Sequence, residues 1–441
     1  MKIAHLLGWY FPDSVGGTEV YVEGLCRRLR AAGHHVLIAA PDAHAAAPER
    51  YEHDGVAVFR YAISADPTRA EATQRTPVRG SERLHRWLAD ERPDILHVHS
   101  FTTGVGLHEL REARRLGIRV IVTCHLPGLG YLCRAGELMQ WGRTPCDGIV
   151  ESTKCAACNL VRVGLTRPMA EMFGAMPPTA SRWLGSIPGR VGTVLGMSAS
   201  VEQYQDLQRE LFQIVEQFVV LNETARRMLL ANGAPAAKLT LNRLGLSHAS
   251  VRAKQAPDLH PTEQPVRFGY IGRIHPTKGL IELARAVARI PRAIDFRLEI
   301  RGPELDAASR AFGDSVRKAI GADPRVSFQP VVSPAEVSRV LTALDVLVVP
   351  SLWFENGPTI ALEAMAAGTP VVASRVGNLA EIIEDGVNGR LVQPSDVAGL
   401  SDALTGIAQH PSETVDRWRR RLTSPRTMDD VTRDYLEMYA A

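Results

Sequence analysis

Apolar and polar positions along the first 125 residues alternate between two rhythms. Short apolar runs at 2–8, 34–40, 56–63, 94–100 and 119–125 predict strands. Between the first two, Val22, Leu25, Cys26 and Leu29 recur at i, i+3, i+4 and i+7, one buried helical face that Gly33 closes as a C-cap. Helical spacing also fills 80–91 and 106–116. Strands that are mostly apolar and separated by helices indicate a parallel sheet covered on both faces. A second series of strands is predicted at 266–274, 296–302, 325–331, 345–351, 370–374 and 389–394. The pattern therefore predicts an α/β protein with two doubly wound domains, and a cleft between the carboxyl ends of their strands where such sheets bind ligands.

Residues 126–200 break this rhythm with glycine, proline and cysteine, and read as an insertion. Helix returns at 201–216, strand at 218–223, and strand and loop at 238–246, before a polar, proline-bearing linker over 247–265. The expected divisions are a first domain over 1–250, a second over 264–415, and a helical tail over 416–441 that packs back on the first. A chain of 441 residues is too long for one core, and its 45 % apolar and 22 % charged content is that of a globular protein. The net charge of +3 gives no bulk case for nucleic acid, and RWRRRL (417–422) reads as a solvated helix rather than a nucleic-acid or lipid patch. The opening MKIAHLLGWYFPD reads as a first strand rather than a signal peptide, and no uncharged apolar run reaches the roughly 18 residues that span a bilayer. A cytoplasmic location is expected, with contact at the inner face of the membrane left open.

The most informative stretch is PSLWFENGPTIALEAMAAGTPVVAS (350–374). A buried strand ends at Ser351, a loop carries Glu355, and Pro358 opens a helix that holds Glu363 and is capped by Gly368. Both carboxylates suit the hydroxyls of a ligand whose phosphate sits at the helix amino end, near Asn356, Gly357 and Thr359. Upstream, GRIHPTKG (272–279) follows a strand and supplies Arg273 and Lys278, two cations able to neutralise a diphosphate without metal. No D-x-D pair is present to hold a catalytic divalent ion. Gly16 and Gly17, between a strand and a helix, allow backbone amides to approach phosphate closely, although such a pair is often only a turn.

These pieces resemble a family 4 retaining glycosyltransferase of the GT-B fold, two Rossmann-like domains facing a cleft. The resemblance rests on Gly16-Gly17, PDILHVHS (93–100), His125 at a strand end, Gly272-Arg273 with Lys278-Gly279, and Glu355-x7-Glu363 leading into LEAMAAGTPVVAS. It implies a nucleotide-sugar donor, a UDP- or GDP-sugar first, lying mainly on the second domain. By resemblance, Glu363 holds the ribose hydroxyls, Glu355 contacts the transferred sugar, and Arg273 and Lys278 hold the diphosphate. The Gly16-Gly17 loop covers that diphosphate and His125 lies near the sugar; on its own, a strand-end histidine reads as structural. The implied reaction is transfer of a hexose to an acceptor hydroxyl with retention, by front-face attack, in bacterial glycan or glycoconjugate biosynthesis. Asn356-Gly357 after the first glutamate departs from the common pattern and leaves the sugar open. A GT-B nucleotide-sugar epimerase and a zinc-stabilised binding protein with a vestigial site are the alternatives.

Five of the six cysteines fall between Cys124 and Cys158. Cys133, Cys146, Cys155 and Cys158 have spacings of a closed tetrahedral site, and the segment around them is poor in core residues. A structural Zn²⁺ is the first reading, a [4Fe–4S] cluster the second and uncoupled thiols the third. A subset of the resembled family carries a similar insertion, which supports a metal without naming it. Cys26 and Cys124 read as packing. Residues 160–200 hold Met169, Met172, Phe173, Met176, Trp183, Leu184 and Leu195 among four prolines. That surface suits either a lipid-linked acceptor or packing on the first domain; glycan and small-molecule acceptors stay open.

Overall fold

A computed structural model of the chain describes residues 1–14, 16–125, 132–247 and 264–441. The predicted linker lies almost wholly outside the described residues. The chain divides into two compact units. The first holds Met1–Gly142, Cys146–Ser247 and Met428–Ala441, and the second is built mainly from residues 264 to Thr427.

The first unit is built on strands β1 (Lys2–Leu6), β2 (His35–Asp42), β3 (Glu49–His53), β4 (Val56–Ala62), β5 (Ile95–Val98) and β6 (Arg119–Cys124). A two-strand ribbon, β7 (Met139–Gln140) and β8 (Thr144–Pro145), precedes β9 (Gln217–Val220) and β10 (Leu239–Leu241). The main sheet runs β10-β9-β6-β5-β1-β2-β4-β3, parallel throughout except for β3 at one edge. Ile3, Ala4, Leu6, Ile95, Leu96, Val120 and Ile121 are fully buried, as strands covered on both faces require. Burial of each aliphatic side chain is worth roughly 1.5–3 kcal/mol. Edge strand β3, ERYEH, is too polar to read as a strand from sequence, and only its pairing with β4 makes it one. In the stretch expected as strand and loop at 238–246, the strand is Leu239–Leu241.

The insertion is helical. Helices span Ser152–Arg162, Arg167–Gly174, Pro178–Leu184 and Gly189–Leu195, and the next one begins at Met197 and runs to Ile214. Ala156, Ala157, Leu160, Ala170, Met197 and Val201 form a small core of their own, so the segment is less dependent on a staple than its composition suggests. The tail divides. Trp418 and Arg419 stay in the second unit, bonded to Gly386 and Asp345, while the last helix, Met428–Ala440, belongs to the first. Its Asn242–Val431 bond (3.1 Å) and its Tyr21–Tyr435 hydroxyl contact (3.0 Å) fix it there.

The second unit holds β11 (Val266–Ile271), β12 (Phe296–Arg301), β13 (Val326–Gln329), β14 (Val346–Val349), β15 (Val371–Ser374) and β16 (Gly389–Val392). All pair in parallel in the order β13-β12-β11-β14-β15-β16. Phe268, Leu283, Phe296 and Trp418 pack one face, and Leu347, Ala361, Met365 and Leu379 the other. Strand order reverses between β11 and β14, the point at which open α/β sheets bind ligands outside their carboxyl ends.

Candidate functional site

The loops leaving β11 and β14 meet at this reversal. Gly279 closes the first loop at φ +71°, where a Cβ would stand 1.8 Å from the Pro350 carbonyl, so only glycine lets the two backbones approach. The Leu352 amide then donates to the Thr277 carbonyl at 2.8 Å. Lys278 is delivered to Glu355, with Nζ 2.5 Å from Oε1. The same oxygen accepts from Ser351 Oγ (2.5 Å) and Trp353 Nε1 (3.2 Å), which leaves the carboxylate's Oε2 without a protein donor among the described residues. Glu355 itself is buried, and the Lys278 ammonium also lies 5.5 Å from the centre of the Trp353 ring. From behind, the Asn378 amide donates to the Glu355 carbonyl at 2.7 Å, and Gly377 (φ +48°) packs where a Cβ would strike that same carbonyl.

Arg273 stands exposed on the first loop, its guanidinium without an ion pair among the described residues. The fields of Arg273 and Glu355 both reach the buried Tyr270 hydroxyl, which donates to the Arg273 carbonyl at 2.8 Å. Glu363 lies in the helix Thr359–Ala366, half-buried and without a bond to any described residue. Burial without a partner pushes its pKa up to about 7. Asn356 is buried in the loop. The Thr359 amide is bonded to the Gly357 carbonyl (2.9 Å), so that N–H is not open to a ligand. Lys278 and Glu355 are brought together directly, Arg273 stands on the same loop as Lys278, and Glu363 lies on the helix that follows with no bond from its carboxylate to the other three. Ser351, Trp353, Gly377 and Asn378 are parts of the site that sequence reasoning missed; only Ser351 and Trp353, inside the singled-out stretch, carried any signal.

In the first unit Gly16 is the N-cap of the helix Gly17–Ala31, with no side-chain cap. A Cβ on Gly17 would meet nothing within 4 Å, so the fold itself does not require glycine there, whereas one on Gly16 would stand 2.5 Å from Glu19 Oε2, a buried carboxylate that lies against the helix amino end. His125 follows β6, and its Nε2 lies 3.0 Å from His99 Nδ1. His99 Nε2 lies 2.9 Å from His5 Nδ1, and His5 Nε2 has no partner. A buried orphan N–H is costlier than a lone pair, so the protons run from His5 Nδ1 to His99 and from His99 Nδ1 to His125, which leaves the His125 ring proton on Nδ1. His97, beside them, is held by Tyr439 (2.6 Å) and Thr123 (2.7 Å). Burial holds His5 and His125 down to about 3, and His97 and His99 well below the ordinary range. All four imidazoles are neutral at pH 7. His5, His97 and His99 are the one group among the described residues whose ligand atoms all lie within 4.8 Å of each other. Both nitrogens of His97 and of His99 are already bonded, which makes the cluster a hydrogen-bonded array.

Cys133, Cys146, Cys155 and Cys158 line one small cavity of about 30 Å³, all as free thiols. Cys155 and Cys158 share a face of the helix Ser152–Arg162, and Cys158 Sγ accepts from the Trp141 amide at 3.2 Å. Four thiols on one cavity are the right donors for zinc or an iron–sulfur cluster. No three of them reach the mutual spacing of the histidine group, so they stand wider than a closed zinc tetrahedron, whose sulfurs lie about 3.8 Å apart. Cys124 is buried at the end of β6 and Cys26 on the first helix.

A family model described as "Glycosyl transferase 4-like domain" matches residues 16–245, more than half of the chain. A second, "Glycosyl transferases group 1", matches residues 265–410. The D-inositol 3-phosphate glycosyltransferase of Mycobacterium sp. (strain KMS) is 36 % identical over 167 residues, 37 % of this chain and 37 % of that protein. That of Nocardia farcinica (strain IFM 10152) is 35 % identical over 199 residues, 42 % of this chain and 43 % of that protein. The chain thus spans about two fifths of the curated relatives it matches. Among solved structures, sucrose-phosphate synthase from Thermosynechococcus elongatus superposes with a TM-score of 0.65 at 20 % identity, covering 100 % of this chain and 98 % of that one. Anabaena Alr3699/HepE in complex with UDP-glucose gives 0.61 at 13 % identity, covering 100 % and 99 %. At these identities the likeness is one of fold, two Rossmann-like domains of the GT-B type.

Proposed function

Because this chain belongs to the glycosyl transferase 4-like family, we propose that it moves a hexose from a nucleotide diphosphate sugar to an acceptor hydroxyl, with retention of configuration. The carrying observation is the meeting of Lys278 and Glu355 at the strand-order reversal, with Arg273 on the same loop as Lys278 and the Glu363 carboxylate unpartnered on the helix that follows. Arg273 and Lys278 neutralise the diphosphate, which becomes the leaving group. Glu363 accepts the ribose hydroxyls, and the open oxygen of Glu355 accepts a hydroxyl of the transferred sugar. Amides at Gly16 and Gly17 add to the phosphate's hold, and His125 donates through Nδ1 toward the sugar. The C1–phosphate bond breaks as the acceptor oxygen bonds C1 on the same face, and the acceptor's proton passes to the departing phosphate oxygen. No separate strong base is needed.

UDP-sugars come first as donors, since a structural neighbour is described with UDP-glucose, and GDP-sugars second. The acceptor is a glycan, a lipid-linked sugar or a small polyol; relatives of the matched region are named for inositol 3-phosphate. Drawn closer than they stand here, the four cysteines would hold a structural zinc, or alternatively an iron–sulfur cluster, that would order the insertion; no step of the reaction runs through it. No described helix is long and apolar enough to cross a membrane. Met172, Val191 and Trp183, 62 %, 59 % and 77 % exposed on short helices of the insertion, suit peripheral contact with a bilayer.

The test is thermal stabilisation of the purified protein by UDP-, GDP-, dTDP- and ADP-sugars, with Glu363→Ala as control. Stabilisation by one nucleotide family, lost in the variant, is expected. Stabilisation by none would overturn the reading in favour of a binding protein with a vestigial site.

A further inference from the structure

A cavity of about 360 Å³ lies wholly in the first unit. Its walls are the turn around Gln74, the loop Phe101–Gly106 that follows β5, the residues Cys133–Gly136, and one face of the helix Met197–Ile214. The loop Phe101–Gly106 leaves the carboxyl end of β5, the side on which an α/β sheet binds ligands. The cavity's volume sits at the small end of ligand sites, roughly 300–1,000 Å³, and fits a small molecule or the head of a larger one.

Its charge is unbalanced. Arg134 lines the cavity, exposed to it, with its guanidinium on Ser200 Oγ (2.5 Å) and Met197 Sδ (3.2 Å) and no carboxylate partner among the described residues. Arg69 and Arg75 lie near enough to act on Arg134 electrostatically. Arg75 bonds only the neutral Gln203 Oε1 (2.9 Å) through its side chain, and Arg69 has no ion pair among the described residues. The two acids on the wall are engaged elsewhere. Glu71 is clasped by Arg79 at 3.0 Å and by the Thr68 amide, and Glu109 is buried and receives the Gly106 amide at 2.8 Å. Arg134 thus lines the cavity without a counter-charge, and Arg69 and Arg75 stand behind it within electrostatic reach. A planar guanidinium fork matches phosphate oxygens two at a time.

We propose that this cavity binds the phosphate group of a phosphorylated polyol, sugar or lipid-linked sugar, with Arg134 as the primary contact and Arg69 and Arg75 supplying field. That the ligand is the acceptor rests on the transferase reading; the anion site does not. The phosphate holds the molecule while a hydroxyl elsewhere on it is presented for glycosylation.

The experiment titrates the full chain with glucose 6-phosphate, with glucose, and with vesicles of phosphatidylglycerol or phosphatidylcholine, and separately with UDP. Wild-type protein is expected to bind glucose 6-phosphate or phosphatidylglycerol at least tenfold more tightly than Arg134→Met, and to ignore glucose and phosphatidylcholine. Arg75→Gln, at an exposed position, should weaken the same binding about threefold, and UDP affinity should stay the same in both variants. Preference for the soluble phosphate or for the vesicle identifies the source, and either supports the site. Equal binding by wild type and Arg134→Met, or binding of neither phosphate probe while UDP binds, would overturn it. Loss of UDP binding with phosphate binding intact would instead remove the transferase reading and leave the anion site standing.

Discussion

His125 Nε2 faces His99 Nδ1 at 3.0 Å, so the ring at the end of β6 has its proton placed by a neighbour two strands' length of chain away. An orienting partner of a catalytic histidine is worth up to about 10⁴ in rate where that partner is charged. Here it is neutral, and His99→Asn is expected to lower kcat about tenfold with the donor KM little changed. Nitrogen chemical shifts of His125 should move from the Nδ1–H to the Nε2–H form. An altered tautomer with unaltered kcat would separate His125 from the chemistry.

The same array sets an acid limit. His5, His97 and His99 bind a proton in the unfolded chain near pH 6.5 and in the folded one only far lower. The unfolded state therefore holds more protons as pH falls below 6.5, and stability drops with it. Each imidazole is expected to cost about 2 kcal/mol at pH 5 relative to pH 7. Melting temperatures across pH 5–8 check this; a flat profile between 5 and 7 contradicts neutral burial.

Glu363 acts in the opposite sense. Its folded pKa of about 7 lies above the usual 4.5, so the folded state keeps a proton that the unfolded state has released, and this stabilisation fades as pH rises from 4.5 through 7. Glu363→Gln should raise stability at pH 8 by about 2 kcal/mol and leave it unchanged near pH 4. UDP affinity should fall about tenfold, the size of one charge-assisted hydrogen bond. Gain of stability with no loss of UDP would assign the glutamate to something other than the nucleotide.

Lys278 and Glu355 are expected to be strongly coupled. Lys278→Met strips a buried carboxylate of its counter-charge and should cost about 2 kcal/mol of stability and at least 100-fold in kcat/KM. Combined with Glu355→Gln, the double variant should be no worse in stability than Lys278→Met alone. Additive losses in that cycle would show that the contact is incidental.

Metal analysis of protein purified without chelator is expected to find one zinc per chain, or four irons. Cys155→Ser should lose the metal and lower stability and acceptor turnover together. Full turnover in metal-free Cys155→Ser would confine the four thiols to packing.

Both units were legible because their strands are apolar runs, and period alone separates these from amphipathic helices. Gly279 and Glu355 were legible as pattern, but the 1.8 Å clearance that forces the glycine comes from a backbone hundreds of atoms away in sequence. The helices of residues 160–200 were hard to read for a local reason. Pro168 and Pro178 look like breakers, yet each stands in the first turn of a short helix, where a missing N–H costs nothing, and Pro188 stands just ahead of one. The edge strand β3 and the pairing of Trp353 with Glu355 depend on neighbours, to which propensity is blind.

The last helix carries a consequence for synthesis. Tyr439 and Tyr435 complete the hydrogen bonds of His97 and Thr123, and the Tyr439 carbonyl takes Arg119 at 2.7 Å. A chain emerging from the ribosome amino end first can lay down the sheet of the first unit early, but its interior stays unsealed until residue 439 is out. The second unit, whose residues are all made before that helix, can finish while the first still waits.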